Sequence, residues 1–152
     1  MVMRLKVYEK GYMLTELLIC AVLFFLLMTA AVPVALHRRH EQYAVDETAR
    51  ELVADLQILR THSIGNQAAA KEVKKIYVRS GEYVLTNSIF SIEKRKVFPE
   101  TVRSRSNGNG IVSFDAAGRP EGKTMHIVIE SQDKEYKRDI IIAAQTGRIR
   151  ME

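Results

Sequence analysis

Glu16 is the residue whose setting most demands a chemical explanation. It stands directly before an apolar run, residues 17–36, that carries no charge and only Thr29 as a polar interruption. A carboxylate costs about 2.5–3.5 kcal/mol at mid-membrane and less toward the interface. Such a residue either sits at the interface near a helix N-terminus or meets a cationic partner. The second set is the terminal Gly147-Arg148-Ile149-Arg150. If this segment is extended, side-chain alternation puts both guanidinium groups on one face, where they can grip neighbouring phosphates with little base preference. Gly147 lets the backbone turn ahead of them. Arg119, Lys123, Lys137 and Arg138 are candidates to widen that basic surface. The plainer alternative is a solvated terminal strand whose Ile149 packs inward.

Other reactive side chains point to no chemistry. His37 and His40 are three apart and could share a helix face, but a polar collar at the end of an apolar run explains them more simply than a two-His metal site. Ser113 and Asp115 lie at a strand end without a candidate base. Cys20 is the single cysteine and lies inside the apolar run, where it behaves as a small hydrophobe. No intramolecular disulfide can form, so any folded head must be held by its core. No nucleophile elbow, phosphate-binding glycine loop or His-Glu-x-x-His helix is present. The expectation is a non-enzyme without cofactor or metal.

These residues have to be positioned by a chain of 152 residues, enough for one domain and an anchor. The net charge is +5, and residues 1–63 are neutral, so the whole excess lies in residues 64–152. A basic head can favour acidic partners such as DNA, phospholipid or cell-wall polymer. The apolar run spans roughly 30 Å as a helix, the hydrocarbon thickness of a bilayer. Helical spacing then continues. Val45, Ala49, Leu52, Leu56 and Leu59 form one stripe at intervals of four and three, with Asp46, Glu47, Arg50, Glu51 and Asp55 largely off it. Asp46 and Arg50 are four apart and can pair. Gly65 and Asn66 are stop signals. Anchor and amphipathic segment can form one helix of about fifty residues, bent rather than ended by Pro33.

After residue 70 the pattern changes to strands. Residues 76–78 and 83–85 flank a turn at Ser80-Gly81-Glu82, and 89–92, 111–114, 125–130 and 139–143 are further strands. Residues 106–110 and 116–122 are turn clusters. The fold class expected is α+β: a long N-terminal helix whose amphipathic half packs on a small antiparallel sheet. The expected organisation is a leader at 1–11, a transmembrane helix at 12–36, an amphipathic helix at 37–65 and a β-rich head at 66–152.

Lys10-Gly11-Tyr12-Met13-Leu14-Thr15-Glu16 followed by the apolar run resembles the prepilin processing motif of type IV pilin-like proteins. Met13 stands where that family commonly has Thr or Ser. Pro33 falls where the family tends to place a helix-bending proline. In the C-terminal half, Ile111-Val112-Ser113-Phe114-Asp115 with Gly118-Arg119-Pro120, and Thr146-Gly147-Arg148-Ile149-Arg150, are similar to the minor pseudopilins of the type II secretion protein H, fimbrial T and competence group. The resemblance implies cleavage between Gly11 and Tyr12 by a prepilin peptidase and methylation of the new Tyr12 amine. It implies a filament in which Glu16 of one subunit meets that amine on its neighbour. The implied partners are other pilins, the inner-membrane assembly platform, the membrane and, for some members of the group, DNA at the terminal Gly-Arg-x-Arg. The implied location is the cytoplasmic membrane, single-pass, with the N-terminus inside and the head outside.

Two rival readings remain at this level. An ordinary signal peptide would use residues 17–28 as its apolar core and Thr29-Ala30-Ala31 as its cut site. Glu16, Pro33 and the uninterrupted run to Leu36 speak against it. A signal-anchored domain of unrelated binding or enzymatic activity is the other. Charge does not decide orientation, because Arg4, Lys6 and Lys10 precede the span and Arg38, Arg39 and Arg50 follow it.

Overall fold

The computed structural model describes residues 9–65, 74–88 and 91–152. The leader residues 1–8, Asn66 and residues 89–90 lie outside the described ones. Among the described residues one helix, α1 (Glu9–Gly65), is followed by eight strands: β1 (Lys75–Arg79), β2 (Glu82–Ser88), β3 (Ser91–Val97), β4 (Val102–Ser106), β5 (Ile111–Val112), β6 (Met125–Ser131), β7 (Lys137–Ile142) and β8 (Ile149–Met151). The chain divides into two units, Met1–Arg39 and His40–Glu152.

In the first unit, α1 holds an apolar stretch, Tyr12–Thr29, long enough to cross a membrane, about 27 Å at helical rise. Its side chains face outward, with Leu17 73% and Phe25 69% exposed. The two threonine hydroxyls of this stretch turn back on the helix. Thr15 donates to the Tyr12 carbonyl and Thr29 to the Leu26 carbonyl, each at 2.9 Å. The backbone stays helical through Pro33, so the proline does not end the helix.

In the second unit, the helical segment buries the stripe read from the sequence: Val45, Ala49, Leu52, Leu56 and Leu59 are all at most 2% exposed. They join Ile76, Tyr83, Phe98, Val112, Ile127, Ile129, Ile140 and Ile142 in one core. Tyr43 and Ile58 remain exposed. The strands form not one sheet but two antiparallel four-stranded ones, ordered β3-β2-β1-β5 and β4-β6-β7-β8. The split occurs at β4. Its Ser104 N–H donates to the Ser80 carbonyl at 2.8 Å and its Ser104 hydroxyl to the Arg79 carbonyl at 2.6 Å, while its other edge pairs with β6. One of the strands, β4, falls where the sequence predicts none, while β8 takes the terminal segment around Ile149 for which an extended strand is one of the expectations. The third strand overlaps the expected 89–92 at residues 91–92 and runs on to Val97. The expected strand at 139–143 begins two residues earlier, at Lys137.

Candidate functional site

The anchor residues come first. Gly11 and Tyr12 both lie within α1, one turn ahead of Glu16. The Tyr12 side chain is 72% exposed. Glu16 is exposed as well and has no ion-pair or hydrogen-bond partner among the described residues. The Pro33 and His37 side chains lie outside those described. The helix therefore presents, near the start of its apolar stretch, a carboxylate unpartnered among the described residues. Among the described residues no cluster of three or more His, Cys, Asp or Glu could hold a metal.

The basic candidates of the head separate into two groups. Arg119 and Arg138 are already engaged. Arg119 Nε and Nη2 each lie 3.0 Å from Asp115 Oδ2, and Asp115 Oδ1 accepts the Arg119 and Ala117 backbone N–H groups. The Arg119 backbone bond, with its guanidinium, holds the Asp115 carboxyl below its usual range. Arg138 Nε donates to Asp46 Oδ1 at 2.6 Å. That bond lowers the Asp46 carboxyl and raises the guanidinium. Asp46 thus bonds a strand rather than forming the Asp46–Arg50 helix pair expected from spacing.

Arg148, Arg150, Lys123 and Lys137 are exposed and make no ion pair among the described residues. The register assigns their faces. Arg150 lies opposite Ile141, and the Ala143 N–H donates to the Arg148 carbonyl at 3.0 Å. Arg148 and Arg150 therefore share the face of Ile141, opposite to that of Ile140 and Ile142 in the core. On the same face the register places Arg103 opposite Glu130, Glu130 opposite Lys137, and Arg105 opposite Val128. Arg103 and Arg105 were not read from the sequence as candidates. They belong to β4, whose Val-Arg-Ser-Arg-Ser pattern reads as polar rather than as a strand. Lys123 lies in the loop before β6, on a cleft of about 430 Å³ with Lys75, Ser113 and Glu121. Ser113 donates to Glu121 Oε2 at 2.6 Å.

The carboxylates of the helix form a second polar system. Lys94 Nζ lies 2.7 Å from Asp55 Oδ2 and 3.2 Å from Glu51 Oε1, and Lys96 Nζ lies 2.7 Å from Glu51 Oε2. The buried Tyr83 hydroxyl donates to the same Asp55 oxygen. Bonds from Lys96 and then Lys94 lower the Glu51 carboxyl, and the Asp55 bond raises Lys94. Burial, and then the Asp55 carboxylate, push the Tyr83 phenol far above its usual range. This arrangement ties β2 and β3 to the helix. It offers no open nucleophile and no free acid-base pair.

A helix carrying an apolar N-terminal stretch, with its later turns packed on antiparallel sheets, defines a pilin-like α+β fold. The solved structure of the minor pseudopilin EpsH from the type 2 secretion system of Vibrio cholerae has this fold: it is similar to this chain with a TM-score of 0.53 and 10% sequence identity over 71% of this chain and 95% of EpsH. No protein-family profile and no curated protein sequence matches the chain.

Proposed function

We propose that this chain is a non-catalytic structural subunit of a type IV pilus-like filament, the class of machine that serves pili, type II secretion and DNA uptake. The observation that carries the reading is Glu16. It is a carboxylate with no partner among the described residues, at the head of an apolar helix, in a chain whose other unit has the pilin-like fold. In this reading a prepilin peptidase cuts between Gly11 and Tyr12 on the cytoplasmic side and methylates the new amine. The helix holds the subunit in the cytoplasmic membrane, with the head outside and Pro33 bending the span. During assembly on the inner-membrane platform, Glu16 meets the Tyr12 amine of a neighbouring pilin. Two opposite charges in low dielectric attract strongly, whereas either alone is costly, so the pair fixes register.

Glu16→Ala tests this reading. Insertion of the full chain should be unchanged or improved, since a carboxylate is removed from an apolar span. Co-purification and cross-linking with the other pilins should fall. Unchanged incorporation would reduce Glu16 to an interfacial carboxylate.

The head adds a second reading, contact with DNA through Arg148 and Arg150. Their exposure, their lack of ion pairs among the described residues and their shared face favour it. Lys137, Arg103 and Arg105 lie on that same face. Lys123 stands apart from it, and the carboxylate pairs of Arg119 and Arg138 make those two the weakest contributors. Each phosphate contact contributes about 0.9 to the slope of log affinity against log salt. Changing Arg148 and Arg150 together to Gln should flatten that slope by up to about two contacts with the fold intact. Equal slopes would return the arginines to a solubilising role.

A further inference from the structure

The Gly118 and Thr146-Gly147 segments, read from the sequence as parts of two separate motifs, are brought together by a residue that no motif contains. Arg60, near the end of α1, reaches across to both. Its Nε donates to the Gly118 carbonyl at 3.1 Å and its Nη2 to the Thr146 carbonyl at 3.2 Å. Gly118 and Gly147 are buried and take positive φ, 71° and 63°. A Cβ at Gly147 would collide with the Gly118 carbonyl oxygen, and a Cβ at Gly118 would collide with the Ile64 side chain. The two loops therefore touch backbone to backbone, with one guanidinium closing the contact. A planar fork of donors can serve two carbonyls at once, which a lysine ammonium cannot match in geometry.

The consequence falls on the next residues. Gly147 N–H closes a turn onto the Ala143 carbonyl at 2.8 Å, and Arg148 follows it directly into β8. Strand β8 has three residues and lies at the edge of its sheet, paired only with β7. So short an edge strand has few bonds of its own to fix where its side chains point.

We infer that Arg60 is a positioning residue for Arg148 and Arg150. By clamping the Thr146-Gly147 turn to the Gly118 loop, it sets the start of β8 and presents both guanidinium groups on one face to consecutive phosphates. This rests on the DNA reading of the head given above. Arg60 itself does not touch the nucleic acid.

Full-length Arg60→Met and Arg60→Lys chains in detergent micelles test it by two measurements. In hydrogen exchange, Arg60→Met should speed the Arg150 and Glu152 amides at least tenfold, with Ile127, Ile129 and Ile140 at the wild-type rate. In salt titrations against a random-sequence duplex, its log–log slope should fall by up to about two phosphate contacts, about 0.9 each. Arg60→Lys, which can reach one carbonyl, should fall between wild type and Arg60→Met on both scales. Unchanged exchange in β8 overturns the inference. So does a loosened β8 with a wild-type slope, because the clamp would then be structural only. Faster exchange throughout the core would mark general unfolding, and Arg60→Lys would then decide: a folded chain with wild-type β8 exchange and slope overturns the inference. A wild-type chain with no salt-dependent DNA binding overturns the DNA reading and the functional part of this one, while the exchange comparison still decides whether Arg60 holds β8.

Discussion

Asp55 and Glu16 are carboxylates in apolar company with different settlements. Asp55 is satisfied inside its own fold by Lys94 and the Tyr83 hydroxyl. Glu16 has no such neighbour among the described residues. The contrast gives Glu16 its interest, since an unpaired carboxylate on an apolar helix is stabilised once a cation arrives from outside. Removing a partner from Asp55 has a calculable cost. Tyr83→Phe deletes a hydrogen bond to a charged group, and about 1.5–3 kcal/mol should be lost in urea unfolding. A loss below a few tenths would mean that Lys94 alone satisfies Asp55. Gly147→Ala should do damage of another kind, through the positive φ and the collision with the Gly118 carbonyl. Thermal unfolding should shift down by several degrees, and an unchanged midpoint would contradict the backbone contact. Glu16 was legible in the sequence because charge beside an apolar run is a strong contrast. Arg60 was not, because its acceptors are backbone carbonyls, which leave no trace in residue identity.

At the level of elements, the helix stripe was the most legible feature. Spacings of four and three select one helical face, and every member of the stripe is buried. Leu52, fully buried at its centre, should cost about 2–5 kcal/mol when truncated to Ala, measured by denaturant unfolding of the full chain in detergent. A change under 1 kcal/mol would mean that the stripe does not pack as the core shows. The strands were legible only where apolar residues alternate. Strand β4 hides because Ser104 occupies an inward position while Arg103 and Arg105 point out. Strand β3 hides because its inward side is filled by Lys94 and Lys96, which reach carboxylates of the helix rather than a hydrophobic layer. The acidic residues off the stripe give no sign in the sequence of which strand they meet, nor of the division into two sheets. The partners lie about forty residues apart in the chain, beyond what local periodicity reports.

For the molecule as a whole, the ion pairs set a pH window. Asp46 and Glu51 are lowered in the folded state, so their contribution is present above the ordinary carboxylate values, 3.8 and 4.5, and is lost as pH falls through the depressed ones. Lys94 and Tyr83 are raised, so theirs is full below 10.5 and 10.0 and is lost as pH rises through the folded values. Stability should form a plateau from about pH 5 to 10 and fall on both sides, with Lys94→Met reducing the alkaline fall. A steady slope across that range would contradict the ion-pair account. The central claim, however, is that this chain is a processed filament subunit, and its most direct test is the mature N-terminus. Intact mass and N-terminal sequencing of the membrane-extracted protein, from cells with an active prepilin peptidase, should give a chain beginning at N-methylated Tyr12. A chain beginning at Val32, or one still carrying residues 1–11, would contradict it.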